Sequence, residues 1–128
     1  MKKITNGIFI LLLAFVACTK DKGEIVRPRP LGPGCDTSMV ISYATHIAPI
    51  MNNSCGAQDP SCHTSATASG QAILDIQLGV NAVAMDGRLL SCITWDGNTS
   101  FMPKSGVKLP ECDINKIRKW INEGAPDN

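Results

Sequence analysis

From Cys35 to Asn128 the chain offers four aromatic side chains, Tyr43, Trp95, Phe101 and Trp120. Fewer than a hundred residues with so few large apolar groups bury little area by themselves. A domain of this size usually carries a covalent staple or a cofactor around which it packs. That requirement directs attention to the cysteines, of which the chain has six.

The segment ahead of Cys35 reads as something other than this domain. MKKITNGIFILLLAFVAC begins with Lys2 and Lys3, continues in an apolar run from Gly7 to Ala17, and meets Cys18 directly after a small residue. The run is too short to span a membrane, so residues 1–17 are expected to be a signal peptide. A cysteine at the cleavage point resembles the lipobox of bacterial lipoproteins, with Phe15 where that pattern usually has Leu. The resemblance implies a diacylated Cys18 as the membrane anchor. An ordinary secretory signal that happens to contain a cysteine is the plainer reading, and both take the protein out of the cytoplasm. Thr19 and Lys20 give no retention signal of the aspartate kind, so an outer-membrane lipoprotein facing the periplasm or the cell surface is expected. Residues 18–34 form the tether: Thr19 to Gly34 holds three prolines and three glycines and no apolar period. Its reach is at most about 50 Å. Residues 35–128 remain as the folded domain.

Counted from Cys18, ten Lys or Arg stand against eleven Asp or Glu, with no run of one sign. This balance points to no nucleic acid and no strongly charged partner.

Three helical stretches follow from apolar spacing. In SYATHIAPIMNNSC, Tyr43, Ile47, Ile50 and Met51 share a face, and Pro49 is tolerated if the helix begins within the three residues before it. In LGVNAVAMDGRLLSCI, Val80, Val83 and Ala84 share a face, while Gly87 weakens the second half. LPECDINKIRKWINEGAP starts at Pro110, carries two acids in its first turn, buries Ile114, Ile117, Trp120 and Ile121, and stops at Gly124. Between them lie turn-rich pieces and no train of alternating strands. An all-α domain of three or more helices with long loops is expected, and long loops in so small a fold imply that they wrap something.

The chemistry concentrates in CGAQDPSCHTS, Cys55 to Ser65. It looks like a c-type haem attachment site, C-x-x-C-H, with six residues rather than two between the cysteines. Covalent attachment of haem needs thiols that add across the porphyrin vinyl groups and an imidazole held under the iron by the same piece of chain. Cys62 and His63 meet the demanding half of that geometry. Cys55 has only to reach the other vinyl, and GAQDPS, with Gly56 and an Asp59-Pro60 turn, can loop outward between close ends. The iron's second axial ligand in electron carriers is commonly a thioether, which raises the potential. Met102, in SFMPKSG, is the candidate, and its bland alternative is a methionine filling a core gap.

The order THIAPIMNNSC, a cysteine followed by histidine, FMPKSGVKL and DINKIRKWINEGAP resembles the small single-haem c-type cytochrome domains of bacterial exported lipoproteins. The resemblance covers Tyr43 to Asn128. It implies a cytochrome c-like fold wrapped around one haem c, with first and last helices packed together, His63 as proximal and Met102 as distal iron ligand. It further implies a membrane-tethered electron carrier exchanging electrons with a redox protein, and not an enzyme, because both axial positions are filled. In such a fold a disulfide between Cys35 and Cys112 would staple the two ends of the domain. Cys92 with Cys112 is the alternative pair, and Cys55 with Cys92 becomes possible if Cys55 does not hold haem.

Two other readings compete. In one, Cys55 and Cys62 form a disulfide in a haem-free module for structure or interaction, and His63 is solvated. In the other, zinc is held by Cys55, Cys62, His63 and a further cysteine, although an adjacent Cys-His pair fits tetrahedral spacing poorly. His46 is expected to be a solvated helix residue, with a role as distal ligand a remote alternative. Trp120 belongs to the apolar stripe, Trp95 packs either on the cofactor or in its own loop, and Lys104 and Lys108 are ordinary solvated lysines or a docking rim.

Overall fold

The computed structural model describes residues 35–128. The expected signal peptide, the lipidation site Cys18 and the tether lie outside the described residues.

The first helical stretch opens at Ser42, whose Oγ accepts the Thr45 N–H. It runs as a wide π turn over Tyr43–Ile47 and continues as α1, Ala48–Ser54, with Pro49 in the first turn of α1. Proline has no N–H to give the carbonyl of Thr45. The ladder ahead of it is correspondingly loosened: Ile47 N–H reaches Ser42 O and Ala48 N–H reaches Tyr43 O. A plain α-helix is therefore replaced by a π turn over its first half. Ile47, Ile50 and Met51 are buried as the spacing predicts.

The middle stretch is two helices rather than one, α2 at Gln77–Met85 and α3 at Arg88–Thr94. The break falls at Gly87, which takes φ 84°, a conformation glycine adopts without a Cβ penalty. Asp86 then holds the start of α3, its carboxylate accepting the Arg88 N–H at 2.9 Å and Nε–H at 2.7 Å. Val80, Val83 and Ala84 of α2 and Leu89 and Ile93 of α3 turn into a shared core. Gly79 lets the chain cross α2 closely, since a Cβ there would lie 2.2 Å from the Ile73 carbonyl oxygen.

The last helix, α4, spans Glu111–Asn122, with Pro110 as the residue just before it and Glu111 and Asp113 in its first turn. Ile114, Ile117 and Trp120 are buried, and Ile121 packs at the core's edge. Beyond Gly124, at φ 91°, the chain folds back so that Trp120 Nε1–H donates to Pro126 O at 2.9 Å.

These pieces make an all-α domain with four α-helices, and no strand occurs among the described residues. The first helical stretch packs on α4: the Tyr43 and Trp120 rings lie 5.7 Å apart, and Ser42 Oγ, Tyr43 N and Ala44 N all donate to Asn128. A disulfide joins Cys35 to Cys112, with Cα atoms 5.5 Å apart. Cys92 is a free thiol, so neither of the alternative pairings that used it is formed.

Candidate functional site

A cleft of about 760 Å³ opens between the end of α1, the loop that follows it, α3, and the loop before α4. Cofactor pockets usually occupy about 300–1,000 Å³. The walls are mainly apolar, with Leu74, Val83, Leu89 and Ile93 at their backs. Cys55, Cys62, His63 and Met102 all line it, so the four residues singled out by their sequence context meet in one place.

The six-residue insert coils into two successive turns. Asp59 N–H donates to Gly56 O at 3.0 Å, and Cys62 N–H to Asp59 O at 3.0 Å. The Asp59 carboxylate also accepts the Ser61 N–H at 2.8 Å and hydroxyl at 2.6 Å, bonds that hold its pKa below the usual carboxylate range. Two turns in series bring the chain back almost to where it left. Gly56, at φ 64°, sits so close to Cys62 that a Cβ would lie 2.8 Å from Cys62 Cβ and 3.1 Å from its sulfur. Wide spacing along the sequence thus becomes close approach in space, by way of a residue that has no side chain.

His63 is fastened twice to the segment that runs past it. Its carbonyl accepts the Leu74 N–H at 2.7 Å, and its Nδ1 lies 3.3 Å from Ala72 O. A carbonyl only accepts, so in this bond Nδ1–H is the donor, and Nε2 is the ring nitrogen left for another partner. That arrangement orients an imidazole for use as a ligand through Nε2.

Met102 comes from a separate loop. Its N–H donates to Cys92 O at 3.0 Å, and its carbonyl accepts Trp95 Nε1–H at 2.8 Å. The bond to Met102 and the contact of the Trp95 ring with Phe101, centroids 5.3 Å apart, place Trp95 in its own loop.

Three free thiols, Cys55, Cys62 and Cys92, share the cleft. Burial pushes the Cys55 thiol up to about 12, with Cys92 nearby adding to the effect, and burial raises Cys92 as well. The disulfide between Cys55 and Cys62 is not formed. Among the described residues no group of three or more His, Cys, Asp or Glu is placed to hold a metal ion, which leaves the zinc reading without a site. His46 lies elsewhere, its Nδ1 accepting the Ser42 N–H at 3.0 Å, and it takes no part in the cleft.

No known protein family, curated protein or solved structure matches this chain.

Sequence reasoning missed two cleft residues. Cys92, a disulfide candidate in the sequence, has a spacing that carries no ligand pattern of its own. Arg88, which pairs with Asp86 at 2.7 Å and donates to Gly70 O at 3.2 Å, lies at the rim. Lys104 also lies at the rim, over the Phe101 ring at 5.4 Å, whereas Lys108 does not reach this cleft.

Proposed function

We propose that the protein is a membrane-tethered single-haem c-type cytochrome of cytochrome c-like fold that transfers electrons, anchored through lipid on Cys18 at the outer membrane. The observation that carries this reading is the meeting of Cys55, Cys62, His63 and Met102 in one mainly apolar cleft, with the His63 ring held so that Nε2 is free. The donor set fits covalently held haem. Cys62 and Cys55 would each add a thiol across a vinyl group, sulfur bonding to one carbon while the hydrogen goes to the other. His63 Nε2 and the Met102 thioether would hold the haem iron. Bound haem supplies a one-electron iron couple in an apolar setting.

The chain's own groups do the remaining work. The Ala72 carbonyl, accepting from Nδ1, steadies the His63 ring. Leu74, Val83, Leu89 and Ile93 exclude water and keep the site's dielectric low. With His63 and Met102 both holding the iron, no position on it would be left for a substrate, so the role would be that of a carrier working with a redox protein rather than an enzyme.

The test is an alkaline pyridine haemochrome spectrum of the full chain expressed in a host with a cytochrome c maturation system. A ferrous α band at the c-type position is expected, its wavelength reporting whether one or both vinyl groups have been consumed. A soluble, cooperatively folded product without haem would refute the proposal and favour the haem-free module.

A further inference from the structure

Trp95 occupies a conformation that its residue type does not favour. It ends α3 at φ 62°, ψ 44°, in the left-handed region where glycine would sit at no steric cost. Burial does not account for it, because the residue is 37% exposed. An unfavourable backbone conformation that persists on a half-open surface points to something the side chain does.

What it does is hold Met102. The indole Nε1–H donates to Met102 O at 2.8 Å, while two residues before the end of α3 the Cys92 carbonyl takes the Met102 N–H at 3.0 Å. Both polar backbone groups of Met102 are therefore bonded to the last turn of α3 and its cap. The rest of that loop is tied to α3 mainly through one side chain, Ser91, whose hydroxyl donates to the Asp96 carboxylate at 2.6 Å and meets the Thr99 hydroxyl at 2.9 Å, while Phe101, next to Met102, is 52% exposed.

We infer that Trp95 is a positioning residue, whose indole N–H fixes where the Met102 thioether stands in the cleft. The inference rests on the function proposed above and deepens it. A ligand on a loosely held loop competes poorly with any small molecule that enters its place. The geometry assigns Trp95 the task of keeping Met102 competitive.

The experiment uses the haem-loaded full chain and two replacements that remove the donor. One is W95F. The other is the benzothienyl analogue of tryptophan at position 95, which preserves ring shape and covers the case in which W95F does not fold. Imidazole is titrated against the ferric protein, and hydrogen exchange is measured at the Met102 amide, a readout that does not depend on haem. Loss of one hydrogen bond should raise Met102 exchange about five- to tenfold and tighten imidazole binding by a similar factor. F101L, which keeps the N–H and removes the ring contact, should change neither by more than about twofold. Wild-type values for both readouts in both position-95 replacements would overturn the inference, as would an equal effect of F101L. M102A separates the two levels of the argument. If it does not tighten imidazole binding, Met102 is not an iron ligand, and the ligand assignment falls together with the positioning role. If it does and the position-95 replacements do not, only the positioning role falls.

Discussion

Replacing Gly56 by alanine measures how much the six-residue insert depends on a missing side chain. Gly56 and Gly70 both stand at φ 64°, so an alanine at either position meets the same left-handed penalty, about 1–2 kcal/mol. They differ in space. Nothing lies within 4 Å of a Cβ at Gly70, whereas at Gly56 it would sit 2.8 Å from Cys62 Cβ. That neighbour is bonded directly to the backbone and has no rotamer by which to withdraw, so the turn itself must shift, at an overpacking cost of about 1–3 kcal/mol. Urea unfolding of the full chain should therefore place G70A about 1–2 kcal/mol below wild type and G56A about 2–5 kcal/mol below it. The excess of G56A over G70A isolates the contact from the conformational term. If the chain holds haem as proposed, G56A should also lower the fraction of protein with two thioether bonds, read by intact mass and haemochrome wavelength, because Cys62 moves relative to Cys55. Equal destabilisation by the two alanines would refute the account of the insert as a closed pair of turns.

Other expectations follow from the same geometry. Removing the disulfide with C35A/C112A frees a loop with sequence separation 77, and should cost about 4 kcal/mol in urea unfolding. W120F keeps an aromatic ring in the core but leaves Pro126 O without its donor, a loss of about 1–3 kcal/mol by thermal or urea unfolding. In the cofactor-free chain, Cys55 holds its proton to about pH 12 when folded against an ordinary value of 9.0. Its stabilising contribution is thus complete below pH 9 and drains away as pH rises toward 12. C55A should flatten the fall in stability across that window, measured as the slope of unfolding free energy against pH, and an unchanged slope would contradict the burial of this thiol.

The helices were legible where the signal was periodic and local. Ile114, Ile117 and Trp120 announce α4 because burial on one face repeats at helical spacing, and Pro110 and Gly124 mark its limits. The division of α2 from α3 was half legible, since Gly87 signals a weak point but not whether the helix bends or stops. What decides it is the Asp86 carboxylate starting a new helix. The cleft was legible in part of its membership, because sequence context singled out Cys55, Cys62, His63 and Met102, which all line it. Its construction was not. The closeness of Gly56 to Cys62 and the bond from Trp95 to Met102 are consequences of tertiary placement, and no local pattern encodes them. Cys92 illustrates the limit from the other side: a count of cysteines invites pairing, and only the fold reveals it as a free thiol on the cleft wall.

If the domain is held at one end as proposed, the bridge from Cys35 to Cys112 has a mechanical meaning. The cleft residues are numbered from 53 to 105, inside the covalent loop that the two sulfurs close. A pull on the chain ahead of Cys35, resisted anywhere beyond Cys112, travels through the sulfur bridge into the first turn of α4 and bypasses that loop. Tension applied ahead of Cys35 would load the last helix and spare the walls of the cleft.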